Sequence, residues 1–206
     1  MGKIFFITGK SCTGKDTVFR ALKQNSDLDL KVITGYTTRP LREGEREGGE
    51  YHFVDIMRFN ELRSAGRVIE YRAYNTVYGV WYYFTVDDGS VNLAENSYLY
   101  IGTLESYIKT AGYYGRENVI PIYIEVETGK RLQRAIDREK NQAEPKYKEM
   151  CRRFVADEED FDEEHVRAAG ITKRYVNDDL DACLDEITRN VYKLMAEEAE
   201  DEHGRI

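Results

Sequence analysis

Little in this 206-residue chain suits an oxidising compartment or a membrane. Cysteine occurs three times, at Cys12, Cys151 and Cys183, widely spaced and without a C-x-x-C pair. That spacing argues against a disulfide framework or a structural zinc site and for reduced thiols. An excess of positive charge is also missing. The 30 lysines and arginines are outnumbered by 38 aspartates and glutamates, for a net charge of −8. A nucleic-acid binder relying on a broad basic surface is therefore not expected. Long apolar runs are absent. Met1-Gly2-Lys3 leads straight into Ile4-Phe5-Phe6-Ile7, which is too short for a secretory core and suits a buried strand. Gly2 is not followed by Ser or Thr at position 6, which is Phe, so it does not complete an acylation signal. The expectation is a cytoplasmic protein with no membrane partner.

What is present is an ordinary globular balance, 41% hydrophobic and 33% charged, enough for one sizeable core. Apolar runs and helical periods alternate along it. Ile4 to Thr8 reads as a strand, followed by a helix carrying Val18 and Leu22; Leu30 to Thr34 reads as a second strand. Residues 35–54 are rich in Gly, Arg and Glu and show no helical period. Asp55 is placed to cap a helix with Met57 and Leu62. Segments 68–74 and 77–85 are dense in Tyr and Val, as β structure is. Tyr98 to Ile101 and Val119 to Ile124 are continuous apolar runs of the kind parallel strands need when both faces are buried. Helices are expected near 104–112, 129–139 and 145–168, a strand at 174–176, a last helix from about 179, and an acidic, frayed end over 197–202. The alternation predicts an α/β fold with a doubly wound parallel sheet and a β-rich insert after the second strand.

Between the first strand and first helix lies Gly9-Lys10-Ser11-Cys12-Thr13-Gly14-Lys15, with G-x-x-x-x-G-K spacing. Glycines let such a loop curl until its N–H groups converge on an anion. The helix that follows adds its positive end, and Lys15 adds a point charge. Strand before and helix after is the context the motif requires, so Gly9, Ser11, Cys12, Thr13, Gly14, Lys15, Asp16 and Thr17 are candidate phosphate-binding residues. The motif usually continues with Ser or Thr to hold Mg²⁺; here Asp16 stands there, followed by Thr17. A carboxylate is itself a good magnesium ligand, so both are candidate metal residues.

Tyr36-Thr37-Thr38-Arg39-Pro40-Leu41-Arg42-Glu43-Gly44-Glu45, then Gly48 and Tyr51-His52-Phe53-Val54, resembles the guanylate kinase signature without a gap from Thr37 to Val54. The resemblance implies a P-loop NTPase-type fold with a small acceptor-binding insert and a helical lid. The core would be 1–34 and 91–206, the insert 35–90 and the lid about 129–158, all within one kinase domain. It implies that Arg39, Arg42 and Tyr51 hold the acceptor phosphate, with Glu45 orienting the arginines. Guanidinium forks suit phosphate oxygens independently of any family. Ile69-Glu70-Tyr71 is similar to the family's segment whose Glu accepts hydrogens from the guanine edge. Tyr78-Gly79 is similar to its phosphate-touching Tyr-Gly, and Val176-Asn177-Asp178 to the segment near the adenine. The resemblance further implies ATP and Mg²⁺ as cofactors, nucleotides as partners, and a monomer or homodimer.

The lid would come from Gly129 to Gln142, where Arg131, Arg134 and Arg138 follow one another at helical spacing, and from Lys146 to Arg153. Arg134, Arg138 and Arg153 match the family's catalytic arginines best, with Arg152 close behind. Cations positioned over a transferring phosphoryl group stabilise the charge spread over its oxygens. Departures collect around base and metal. Gly35 or Tyr36 replaces a base-contacting Ser, Val80 replaces the Ser or Thr after Tyr-Gly, and Tyr100-Ile101-Gly102 replaces a D-x-D. The expected reaction is ATP-dependent phosphorylation of a nucleoside monophosphate, GMP first among them. A different phosphorylated acceptor stays open, as does a non-catalytic interaction module built on the same domain.

Overall fold

The computed structural model describes residues 1–76 and 78–203, with side chains described as far as 197. The first strand, β1 (Ile4–Thr8), is buried along its whole length and sits mid-sheet. Its alternating side chains serve two cores. Phe5 and Ile7 pack with Val18 and Leu22 of α1 (Lys15–Gln24), while Ile4 and Phe6 face the other way. Each such side chain, removed from water on both sides of a sheet, contributes roughly 1.5–3 kcal/mol. After a 3-10 turn at Ser26–Leu28, the second strand β2 pairs only over Lys31–Val32, shorter than the 30–34 run expected.

Residues 36–86 build a second sheet. β3 (Tyr36–Thr37) and β4 (His52–Phe53) are short and parallel, α2 (Ile56–Ser64) starts where the Asp55 side chain accepts from the Arg58 amide, and β5 (Val68–Thr76) and β6 (Gly79–Val86) form an antiparallel hairpin. Val77, which was expected to open the second hairpin strand, lies outside the described residues. The strand order is β4-β3-β6-β5. One hairpin face packs on α2 through Phe59, Tyr82 and Phe84. The alternation of β structure puts Glu70, Arg72, Tyr83 and Thr85 on the other face.

The chain then returns to the first sheet with β7 (Tyr98–Ile101), α3 (Leu104–Tyr114), β8 (Val119–Glu125), α4 (Thr128–Lys140), α5 (Tyr147–Asp160), α6 (Glu163–Ala168), β9 (Arg174–Val176) and α7 (Leu180–His203). The order is β2-β7-β1-β8-β9, every pairing parallel. Cys183, Ile187 and Val191 of α7 join α1 on one face; Leu104, Tyr107 and Ala111 of α3 and Val166 of α6 cover the other. Helices on both faces of a parallel sheet are the expected fold class.

Two boundaries differ from the sequence reading. The helical stretch 145–168 is interrupted because Phe161 turns into the core and Asp162 caps a new helix, accepting from the His165 amide at 2.7 Å. The acidic end continues α7 to His203; side chains from 198 onward lie outside the described residues. Among the described residues no helix is long and apolar enough to cross a membrane.

Candidate functional site

The loop from Gly9 to Gly14 owes its shape to three residues with positive φ: Gly9 at 150°, Cys12 at 66° and Gly14 at 88°. A Cβ on Gly9 would stand 2.5 Å from the Ile124 carbonyl oxygen, and one on Gly14 would stand 2.4 Å from Asn177 Nδ2. Gly14 is the left-handed N-cap of α1 and contributes no capping side chain. The first amides of α1 therefore point out of the helix end without intrahelical partners, which makes an anion cradle. Thr13 turns inward instead, its hydroxyl donating to the Lys10 carbonyl at 2.9 Å. Asn177 is buried behind the loop. Its side chain donates to the Thr13 carbonyl at 2.7 Å, and its own carbonyl accepts from Arg134 Nη2 at 2.9 Å. The segment that resembles an adenine-side motif thus buttresses the phosphate loop from below.

Lys15 is only 23% exposed, its Nζ 3.4 Å from Asp16 Oδ2, while Asp16 and Thr17 stand exposed at the helix start. Among the described residues no group of three or more His, Cys, Asp or Glu could enclose a metal ion. Gly102 leaves no room for the missing strand acid. A Cβ there would lie 2.7 Å from Phe6 Cζ and 3.1 Å from Ser106 Oγ. The ring of Phe6 is locked in the core by Tyr100 and Tyr107, so the loss of that acid is a packing event as well as a chemical one.

Above the loop sits a feature that the sequence reading did not find. Asp157 of α5 accepts a hydrogen bond from the Ser11 amide at 2.7 Å, and Glu158 accepts from Lys10 Nζ at 2.8 Å. Both carboxylates meet Arg131, which is fully buried, stacked 3.7 Å over the Phe154 ring, and also donates to the Ser11 carbonyl at 3.3 Å. Although burial works the other way, hydrogen bonds and charge from Lys10 and Arg131 hold the Glu158 carboxyl below its ordinary range. Arg131 was visible as one of three helical arginines. Its sequence signal was its place on the apolar side of α4 with Ala135, one turn along, which is also buried. The arginines favoured from the family pattern are placed differently. Arg138 and Arg153 are exposed, Arg152 pairs with Glu149 at 2.7 Å, and only Arg134 reaches the loop region, through Asn177.

In the insert, Arg39 is buried, and four of its five N–H groups have partners, one of them the Pro40 carbonyl. Its Nη1 and Nη2 donate to Glu45 at 2.9 and 2.8 Å, and its Nε donates to the Tyr83 hydroxyl at 3.1 Å. Glu45 also accepts from the Arg42 amide at 2.9 Å, so it orients one guanidinium and the backbone of the second arginine; the Arg42 side chain stays exposed. The hydrogen bonds from Arg39 hold the Glu45 carboxyl below its usual value. The Tyr51 ring lies edge-on to Tyr83, with the Arg39 guanidinium 5.9 Å from its centre. Tyr78 does not join this cluster. It is 83% exposed at the hairpin tip, where it stacks on Trp81.

Glu70 lies deeper, its side chain wholly buried. Its Oε1 accepts from Thr85 Oγ1 at 2.7 Å, Ser106 Oγ at 3.0 Å and Arg72 Nη2 at 3.3 Å. Since Thr85 spends its proton on Glu70, the Tyr100 hydroxyl, 2.6 Å away, is the donor to Thr85. Tyr100 can keep that role because burial pushes its pKa up to about 12. The space left by Gly35 is bordered by the same hydroxyl, 3.5 Å from where a Cβ would sit.

A parallel sheet in this order, with a glycine loop of positive φ between its central strand and first helix, is a P-loop NTPase-type α/β fold. Residues 1–87 match the guanylate kinase family model. The guanylate kinase of Aromatoleum aromaticum is 41% identical over 70 residues, 34% of either chain. That of Neisseria gonorrhoeae is 40% identical over 97 residues, 47% of this chain and 45% of the relative. The chain thus spans a third to just under half the length of these curated relatives. In fold it is similar to the crystal structure of guanylate kinase from Anaplasma phagocytophilum, with a TM-score of 0.63 at 21% identity, over 93% of this chain and 86% of that one. Over residues 1–87 the chain is thus similar in sequence to the guanylate kinases, and over most of its length it shares their fold.

Proposed function

We propose that this chain transfers the γ-phosphoryl group of ATP to a nucleoside monophosphate in the cytoplasm, with GMP the first acceptor to try. The observation that carries the reading is the pairing of an intact phosphate loop with the Arg39–Glu45–Tyr83 cluster and Tyr51. An interaction module that had lost catalysis would have no use for a loop in which neither Gly9 nor Gly14 can carry a side chain.

In this reading the amides of the loop and of the first turn of α1 hold the donor phosphates, with Lys15 as the charge beside them. The residues fit magnesium in its usual protein setting, where one or two side chains suffice and water and phosphate complete the shell. Asp16 and Thr17, exposed at the start of α1, would hold the ion, which when bound neutralises charge on the phosphates. Arg39 is presented by Glu45 and Tyr83, so little side-chain entropy is lost when it meets the acceptor phosphate. Exposed Arg42 adds a second charge, and exposed Arg138 and Arg153 would close over the transferring group, Arg138 leaving a 3.7 Å contact with Glu139. No general base is required, because such reactions run on positioning and electrostatics.

The test is ADP release in a coupled assay with Mg·ATP and a panel of monophosphates. Turnover with at least one of them is expected, and its disappearance in Lys15→Ala ties it to this loop. No turnover with any acceptor would sink the reading.

A further inference from the structure

Resting on the donor half of that reading, the contacts between α5 and the phosphate loop carry a second conclusion. A loop shaped to receive anions already holds two of them. Asp157 Oδ2 accepts from the Ser11 amide at 2.7 Å, and Glu158 Oε2 accepts from Lys10 Nζ at 2.8 Å. Both acids also meet Arg131, which reaches the Ser11 carbonyl as well. Two carboxylates thus stand against two cations at the loop, and the charges cancel. A polyphosphate approaching Lys10 meets like charge from Asp157 and Glu158. An amide N–H serves one strong acceptor at a time, so no phosphate oxygen takes the Ser11 amide while Asp157 keeps it.

Little else holds α5 in place. Of its fourteen residues only Met150 is buried, while Tyr147 and Val155 stand exposed. Phe154 is half-buried, and its ring lies under the Arg131 guanidinium. The Glu149–Arg152 ion pair is internal to the helix and ties it to nothing. Phe161, buried just past the end of α5, anchors that end alone. A helix with so few buried apolar contacts belongs to the low end of local stability. The acids are also the members of the cluster that water can reach. Asp157 is 17% exposed and Glu158 38%, whereas Arg131 shows no exposed surface. Solvent therefore offers the carboxylates somewhere to go, and the cations stay with the loop.

We infer that α5 is an autoinhibitory cap on the phosphate loop: Asp157 and Glu158 occupy the loop of the empty protein in place of phosphate, and a polyphosphate displaces them. Displacement releases α5, which swings about Phe161, and frees Lys10 from the acid that neutralises it. Donor binding and the hold of α5 are then linked in both directions. What fills the loop loosens the helix, and what weakens the helix's hold raises the affinity for the donor.

The experiment follows hydrogen–deuterium exchange of the full chain by mass spectrometry, alone and with saturating pyrophosphate or Mg·ADP. Amides over 147–156 should exchange about fivefold faster, or more, once the loop is filled. The double variant Asp157→Asn, Glu158→Gln should exchange fast there without ligand and gain nothing further when pyrophosphate is added. It should also bind pyrophosphate about tenfold more tightly than wild type. Glu159→Gln removes one exposed charge from the same helix and should keep that Kd within about twofold. Exchange over 147–156 that stays unchanged or slows at saturation would overturn the inference and leave the kinase reading standing. So would a double variant whose Kd is no tighter than that of Glu159→Gln. If the double variant does not fold, the wild-type exchange decides alone. Failure of the wild type to bind either pyrophosphate or Mg·ADP removes the donor site and the inference together.

Discussion

The carboxylate of Asp157 accepts a hydrogen bond from the backbone amide of Ser11 at 2.7 Å, across 146 residues of sequence. An acid of α5 is thus seated on the loop whose amides are the candidate donors to nucleotide phosphate. Anion and carboxylate compete for one N–H. Asp157→Asn keeps an oxygen for Ser11 but removes the charge, so Mg·ATP should bind more tightly. Replacing a charge-assisted bond by a neutral one is worth about 1 kcal/mol, or roughly fivefold in Kd. Calorimetric titration without acceptor checks this; an unchanged or weaker Kd would show that the Ser11 amide does not face the donor.

Arg131 holds the other side of that contact, so its removal should act on stability. Arg131→Met leaves Asp157 and Glu158 facing each other without a cation. Breaking a buried pair from one side costs about 3–5 kcal/mol, and the partial exposure of the two acids reduces this to roughly 2–3 kcal/mol. The exposed Arg138→Met should cost within about 0.5 kcal/mol. Denaturant unfolding of the two variants makes the comparison, and equal losses would contradict the buried assignment.

Lys15→Ala should eliminate phosphoryl transfer while leaving unfolding midpoints close to wild type. Among the described residues Lys15 makes one ion pair, a 3.4 Å contact with exposed Asp16, and exposed pairs contribute about 0–1 kcal/mol. Turnover near wild type would show that the donor phosphates lie elsewhere.

Magnesium dependence isolates Asp16. Asp16→Ser should raise the Mg²⁺ concentration needed for half-maximal rate by about tenfold, the cost of one carboxylate ligand or its water-mediated equivalent. Restoring the strand acid by Gly102→Asp cannot rescue it. That side chain would have to enter the ring of Phe6, 2.7 Å from its Cβ, and the variant should be recovered largely unfolded. An unaltered magnesium titration in Asp16→Ser would remove Asp16 from the metal site.

The Arg39–Glu45 pair predicts a pH dependence of stability. Hydrogen bonds from Arg39 lower the folded-state carboxyl pKa of Glu45 below its ordinary value of 4.5. Its contribution is therefore complete above the unfolded value and lost as pH falls through the folded one. The stability difference between wild type and Glu45→Gln should be constant from about pH 7 to 5.5 and shrink below about pH 4.5. A difference that grew on acidification would reverse the sign and refute the pairing.

The phosphate loop was legible because its chemistry is local. Glycines at positions 9 and 14, an apolar strand before them and an amphipathic helix after them are all set within twenty residues, and no distant contact is needed to curl the loop. The Arg39–Glu45 contact was expected from the resemblance of its segment to the guanylate kinase signature, and the two residues meet at 2.8 and 2.9 Å. Asp157 and Glu158 carried no signal beyond their place in the helical stretch expected over 145–168, since nothing nearby in sequence says that α5 folds back over Ser11. Tyr78 is the opposite case. Its motif suggests a phosphate contact, and the fold places it on the exposed tip of the hairpin, stacked on Trp81.

Sequence alone thus determined the parallel α/β architecture, the anion loop and the arginine-bearing insert, because hydrophobic period, glycine conformation and short-range charge pairing are written along the chain. Only the tertiary structure decided which charged groups are spent on each other. Glu70 is one acid among many until Thr85, Ser106 and Arg72 are brought around it, and Arg131 looks like any helical arginine until α5 buries it. A hydrogen-bonding group has few lone pairs or protons to give, and which neighbours claim them is set by packing across strands and helices that the linear order keeps apart.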